Sequence, residues 1–173
     1  MNNELIIREA DQDDINTIGY LAHEVWPVAY GEILTPAQLK YMLDLIYSPA
    51  SLRKQMSVDK HQFVIAELDE EPVGFASYSK IIEPSTFKLH KLYVMPGTQG
   101  KGLGKALLDD VMERAIELGA KHLQLNVNRH NVARSFYEKM GFVIINEEDV
   151  DIGNGYFMND YVMEKNLSQE SGV

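Results

Sequence analysis

No cysteine occurs anywhere in the chain. That excludes disulfides, thiolate metal ligands and a cysteine nucleophile. Basic residues are also scarce relative to acids, 16 Lys and Arg against 26 Asp and Glu, giving a formal net charge of -10. Phosphate backbones are held by basic faces, so no nucleic-acid partner is expected. No apolar run approaches membrane length. The opening MNNELIIREADQDD lacks a basic region followed by a long apolar stretch, so it reads as neither a signal peptide nor a spanning segment. The expected setting is cytoplasmic, with no membrane partner. Among the five histidines, His23, His61, His122 and His130 lack a second histidine or a carboxylate at ligand spacing, so no metal is expected. Internal repeats and low-complexity blocks are missing too.

What is there suits one globular domain with a sizeable core. Of 173 residues, 45% are hydrophobic and 24% charged. The domain is expected over residues 1–167, with 168–173 as a frayed tail. ELIIRE reads as a strand. Asp11 offers a helix N-cap, and the helix is expected to end near Trp26, because Pro27 disfavours helix for the residue before it. Thr35-Pro36 opens a second helix. QFVIAEL and VGFASYSKI flank DEEP and predict a hairpin. FKLHKLYVM is a longer strand. Apolar residues at 103, 107, 111 and 115 predict a helix to Leu118, stopped by Gly119. HLQLNVN is a strand, and NVARSFYEKM a short helix from Asn131 to Gly141. FVIINEE and GYFMNDYVMEK form a last hairpin around Gly153-Asn154-Gly155. The order β-α-α-β-β-β-α-β-α-β-β predicts an α/β fold, a mixed sheet with helices on both faces.

Between the long strand and the long helix lies VMPGTQGKGLGK. Glycine at this density is costly to order. A Walker loop from Gly97 requires lysine at 103, where Leu103 stands. A dinucleotide loop from Gly100 requires glycine at 105, where Lys105 stands. Both patterns fail. Gln99-Gly100-Lys101-Gly102-Leu103-Gly104 before a helix is still suited to an anion, because unpaired N–H groups at a helix start carry partial positive charge. Lys101 and Lys105 add to it.

The stretch LHKLYVMPGTQGKGLGKALL resembles the acetyl-CoA-binding segment of the GNAT acetyltransferase superfamily, whose signature Q/R-x-x-G-x-G/A is matched by Gln99, Gly102 and Gly104. NVARSFYEKMGF resembles that family's second motif at Asn131, Ala133, Phe136, Tyr137, Gly141 and Phe142. The resemblance implies a GNAT fold, a largely antiparallel sheet of about seven strands whose central parallel strands splay apart. It implies acetyl-CoA as acyl donor. Residues 100–105 (Gly100, Lys101, Gly102, Leu103, Gly104, Lys105) would hold the pyrophosphate, with Gln99 and Asn131 also on the donor's side. Backbone groups near Leu92 and Val94 would pair with the pantetheine arm as an added strand would.

Acyl transfer to an amine needs a neutral nucleophile, a donor for the charge on the carbonyl oxygen and a proton for the departing thiolate. The resemblance implies a backbone N–H near Val94 for the oxyanion and Tyr137 as general acid beside the sulfur. Tyr137 as simple packing against Ala133 is the alternative. His90 shares a strand face with Leu92 and Val94 and titrates near neutral pH, so it is a candidate base. Many relatives carry glutamate there, so this chain departs from one common pattern.

The family builds its acceptor site after the first strand and in the last hairpin. The first segment offers Glu24, Trp26, Tyr30 and Glu32; the second offers Glu147, Glu148, Asp149, Asp151 and Asp160. Carboxylates with aromatic rings suit a cationic amine. The layout loosely resembles bacterial polyamine acetyltransferases. A polyamine is thus one acceptor; amino acids, drug-like amines and protein N-termini are others. A CoA-binding sensor with little turnover is the alternative of a different class. Assembly is open, a homodimer being one alternative.

Overall fold

A computed structural model describes residues 4–82, 85–98 and 102–168. Among these residues, seven strands lie in the hydrogen-bonded order β1-β2-β3-β4-β5-β7-β6, with five α-helices. The strands are β1 (Leu5–Ala10), β2 (Gln62–Leu68), β3 (Glu71–Ile82), β4 (Thr86–Val94), β5 (His122–Asn128), β6 (Val143–Gly153) and β7 (Tyr156–Asn166). The helices are α1 (Ile15–Tyr30), α2 (Pro36–Tyr47), α3 (Pro49–Ser57), α4 (Leu103–Glu117) and α5 (Ala133–Lys139). β1 pairs antiparallel with β2, β2 with β3, and β7 with both β5 and β6, while β4 runs parallel to β5, as the family resemblance implies. Their parallel ladder runs from Thr86↔His122 to Leu89↔Leu125, while β4 continues to Val94.

Two compact units make up the chain. The first comprises Met1–Ser79 and Lys91–Val111. Here β1 pairs with β2 and β2 with β3. The β2–β3 turn is Asp69-Glu70, both at positive φ, so DEEP is a two-residue hairpin turn that leaves Pro72 inside β3. Thr35 caps α2 in a reciprocal box with Gln38.

One expectation fails in this unit. Asp11 caps only a 3-10 turn, Gln12–Asp14, and the helix that follows runs past Trp26 to Tyr30. Proline inside a helix forfeits a hydrogen bond, at a cost of about 3 kcal/mol. Pro27 is tolerated because it faces solvent, while Val25, Trp26 and Tyr30 on the same helix are buried. That burial offsets the lost bond. α3 adds a helix that the expected element order does not contain. Ser48 caps it by accepting from the Ser51 N–H, and Pro49 takes the first position.

The second unit comprises Lys80–His90 and Met112–Val173. Leu123, Leu125 and Val127 form the inward face of β5. β7 lies antiparallel between β5 and β6. Asn154-Gly155, both at positive φ, turn β6 into β7. β6 is an edge strand, and every residue from Val143 to Asp149 is exposed. No helix of the described residues is long and apolar enough to cross a membrane.

Candidate functional site

In the first unit, the strand-to-helix turn begins at β4. The Met95 N–H donates to the Val73 carbonyl on the neighbouring strand at 2.7 Å. Successive backbone groups of an extended strand point to opposite sides, so with Met95 turned to β3 those of Val94 and Leu92 turn away from it. Gly74 lets the two backbones approach: a Cβ there would lie 2.7 Å from the Tyr93 carbonyl oxygen. Gln99, Gly100 and Lys101 lie outside the described residues. Gly102 is at φ +70, and a Cβ built on it meets nothing within 4 Å.

The first α4 hydrogen bond after Gly102 runs from the Ala106 N–H to the Gly102 carbonyl at 3.0 Å. The N–H groups of Leu103, Gly104 and Lys105 precede it, in the turn where a helix leaves its donors without intrahelical partners. Leu103 is buried and anchors this turn. Lys105 is exposed and pairs with Asp109 at 2.8 Å. The open glycine and the first-turn donors fit a pyrophosphate.

The same unit holds an aromatic cluster. Trp26, 3% exposed, packs its ring tilted or edge-on against others, with centroids 4.5 Å from Tyr30, 5.6 Å from Tyr47 and 6.0 Å from Tyr93. The Tyr30 and Tyr93 hydroxyls share a 2.9 Å hydrogen bond. Burial pushes the Tyr47 hydroxyl well above the ordinary phenol range. The Trp26 indole N–H opposes that shift, yet neither buried atom completes a hydrogen bond. Glu24 and Glu32 are exposed. Residues two apart on a helix point roughly 200° from one another, so Glu24 turns outward as Trp26 turns in. The structure therefore does not bring these carboxylates to the rings.

Lys91, which sequence reasoning missed, is 8% exposed. Its Nζ donates to Gln55 Oε1 at 2.7 Å and lies 5.5 Å from the Phe63 ring centroid and 5.8 Å from that of Tyr47. The signal was present: Lys91 follows Phe87 and Leu89 on the inward face of β4, where alternation leads one to expect an apolar residue.

In the second unit, Tyr137 is 8% exposed on α5, with the rings of Phe136 and Phe142 at 5.1 and 5.8 Å. Asn131 Oδ1 accepts from the Ala133 N–H at 2.8 Å and so holds the start of α5. His90 is half-buried on β4. Asp160 on β7 is buried, and its Oδ2 accepts from Asn126 Nδ2 at 3.2 Å. Asn126, also missed, donates to Glu148 Oε1 at 3.2 Å as well. Glu147, Glu148, Asp149 and Asp151 are exposed. Arg129 reaches Asp149 at 2.8 Å and Glu147 at 3.5 Å. No metal-binding group of His, Asp or Glu exists among the described residues.

Residues 33–165 match the family model described as an acetyltransferase (GNAT) domain. An uncharacterized N-acetyltransferase of Mycobacterium bovis is 29% identical over 155 residues, which is 89% of this chain and 98% of the relative. A spermidine N(1)-acetyltransferase of Thermoplasma acidophilum is 30% identical over 165 residues, 92% of this chain and 95% of the relative. The crystal structure of the PaiA N-acetyltransferase from Thermoplasma acidophilum in complex with coenzyme A has a TM-score of 0.80 at 27% identity, covering 94% of this chain and 99% of that one. With this family match, and with a helix start that fits a pyrophosphate, the chain belongs to the GNAT acetyltransferases and uses acetyl-CoA as its acyl donor.

Proposed function

We propose that this protein moves the acetyl group of acetyl-CoA directly to a primary amine held in the same complex, and that the amine is a small polycation. The observation that carries the first part is Gly102, at positive φ and open to solvent at the head of α4. What supports the second is the likeness to a spermidine N(1)-acetyltransferase across 92% of this chain and the acidic last hairpin.

Acetyl-CoA supplies a thioester carbonyl for the amine to attack and a thiolate that leaves. The N–H groups of residues 102–105, together with Gln99, Gly100 and Lys101, hold its pyrophosphate. Leu92 and Val94 offer backbone groups to its pantetheine arm, and the N–H near Val94 donates to the carbonyl oxygen as charge gathers there. Asn131 keeps the start of α5 in place, and Tyr137 on that helix gives its phenolic proton to the departing sulfur. A phenol suits this task because its ordinary pKa of about 10 exceeds that of a thiol, about 8.5. His90 accepts the proton that the amine gives up, directly or through water. Trp26 and Tyr30 shape the acceptor end from within the core.

Calorimetric titration with acetyl-CoA, followed by thiol release over a panel of amines, tests the reading. Tight binding with thiol release on spermidine is the expected result. Binding without release on any amine identifies a sensor and overturns it.

A further inference from the structure

Among the described residues Asp160 is the buried carboxylate, 7% exposed. It stands opposite Asn128 of β5 and Glu148 of β6, so these side chains share one face of the sheet. Asn126 Nδ2 ties Asp160 Oδ2 to Glu148 Oε1, each at 3.2 Å. Asp160 Oδ1 is equally buried and accepts no hydrogen bond. A buried carboxylate is expensive, and a buried oxygen without a donor more so.

The charged groups facing it come from three directions. Lys88 on β4 and Arg129 after β5 favour its ionised form; Glu148 on β6 opposes it, as does burial, the largest effect. The outcome is a carboxyl raised above its ordinary value. Arg129 does not cap Oδ1, because its N–H groups go to the Asp160 and Glu148 carbonyls at 3.5 and 3.4 Å and to Asp149 Oδ1 at 2.8 Å.

We infer that Asp160 Oδ1, with Glu148 as the outer carboxylate, receives the non-reacting ammonium of a diamine or polyamine acceptor, which makes Asp160 a specificity residue. This rests on the proposed acetyl transfer to a cationic amine. An ammonium brings a compact charge and three donors, what a bare carboxylate oxygen beside a second carboxylate lacks. An anionic group would meet two like charges there. The attacking nitrogen must lose its proton, whereas the second nitrogen keeps its own, so a lasting ion pair suits only the latter.

The experiment compares putrescine with butylamine in wild type and Asp160→Asn. Each amine is titrated calorimetrically into the CoA-bound protein, and KM values are measured by thiol release. Putrescine is expected to bind at least about tenfold more weakly in the variant, with its KM raised by a similar factor, while butylamine and acetyl-CoA change by no more than about twofold. The preference for putrescine over butylamine should shrink as the pH is lowered in wild type and be flat in the variant. Glu148→Gln, an exposed change, should move putrescine in the same direction by less.

Thermal stability separates a ligand role from a packing role. Asp160→Asn removes a costly buried charge and should melt no lower than wild type at neutral pH. Unchanged putrescine binding in the variant, or equal losses for both amines, overturns the inference and leaves the buried oxygen to an ordered water only. Putrescine binding that depends on Asp160 with no thiol release upholds the inference and defeats the catalytic reading instead.

Discussion

The Tyr93 carbonyl oxygen sits where a side chain on Gly74 would begin, 2.7 Å from an ideal Cβ. Leu107 Cδ1, at 3.1 Å, closes the same space. Backbone cannot yield as a flexible side chain does. Gly74→Ala is therefore expected to destabilise the fold by about 1–3 kcal/mol, the range for overpacking. Urea unfolding measures this. The same push falls on Leu92–Val94, so acetyl-CoA affinity in the folded fraction should drop as well.

Gly102 behaves oppositely, having open space but a constrained φ of +70. Gly102→Val should leave the chain folded and weaken acetyl-CoA at least about tenfold, because the new side chain stands where a phosphate approaches. Calorimetry decides; a folded variant with wild-type affinity would make the loop structural.

Tyr137→Phe keeps the ring among Phe136 and Phe142 and removes only the hydroxyl. Turnover should fall roughly ten- to a thousandfold, near the range of acid catalysis, with acetyl-CoA affinity held within a few fold. Single-turnover thiol release is the measurement. A rate equal to wild type with chemistry limiting would mean that solvent supplies the proton.

Trp26→Ala is first a stability variant. With the indole 3% exposed among Tyr30, Tyr47 and Tyr93, a loss of about 3–5 kcal/mol is expected, as for large aromatic truncations. A full-strength fold after this change would mean that the cluster is looser than its ring distances imply.

The Arg8–Asp14 pair gives a pH dependence of definite sign. The guanidinium hydrogen bond lowers the Asp14 carboxyl below its ordinary 3.8. A carboxyl depressed in the folded state contributes stability above the unfolded value and loses it as pH falls through the folded one. Stability should thus decline from about pH 4 downward, and less steeply in Asp14→Asn; parallel slopes in acid denaturation would show that the pair contributes nothing.

Strands and turns were readable because alternation and turn residues act locally. HLQLNVN became β5 residue for residue, and Gly119 and Gly141 follow their helices. Ser48-Pro49 carries the same cap-and-proline signal as Thr35-Pro36, so the start of α3 is legible in the sequence. The α1 boundary was not, since Pro27 argues locally for a stop that only tertiary burial of Trp26 and Tyr30 overrides. The Asn126–Asp160 link was illegible for another reason. The two residues are 34 apart in sequence, and only the β5–β7 register places them diagonally on one face. The acid-rich hairpin was visible, but not which of its carboxylates is sheltered.

The exposed edge strand β6 bears on solubility. Val143, Ile144 and Ile145 are consecutive exposed aliphatics on a strand with one unpaired side, the template on which misdirected strand addition begins. Glu147, Glu148, Asp149 and Asp151 follow on the same strand. In an in-register stack each would face its own copy, so they act as gatekeepers against fibril growth. That protection is electrostatic. It weakens in acid as the carboxylates take up protons, and in strong salt as their repulsion is screened.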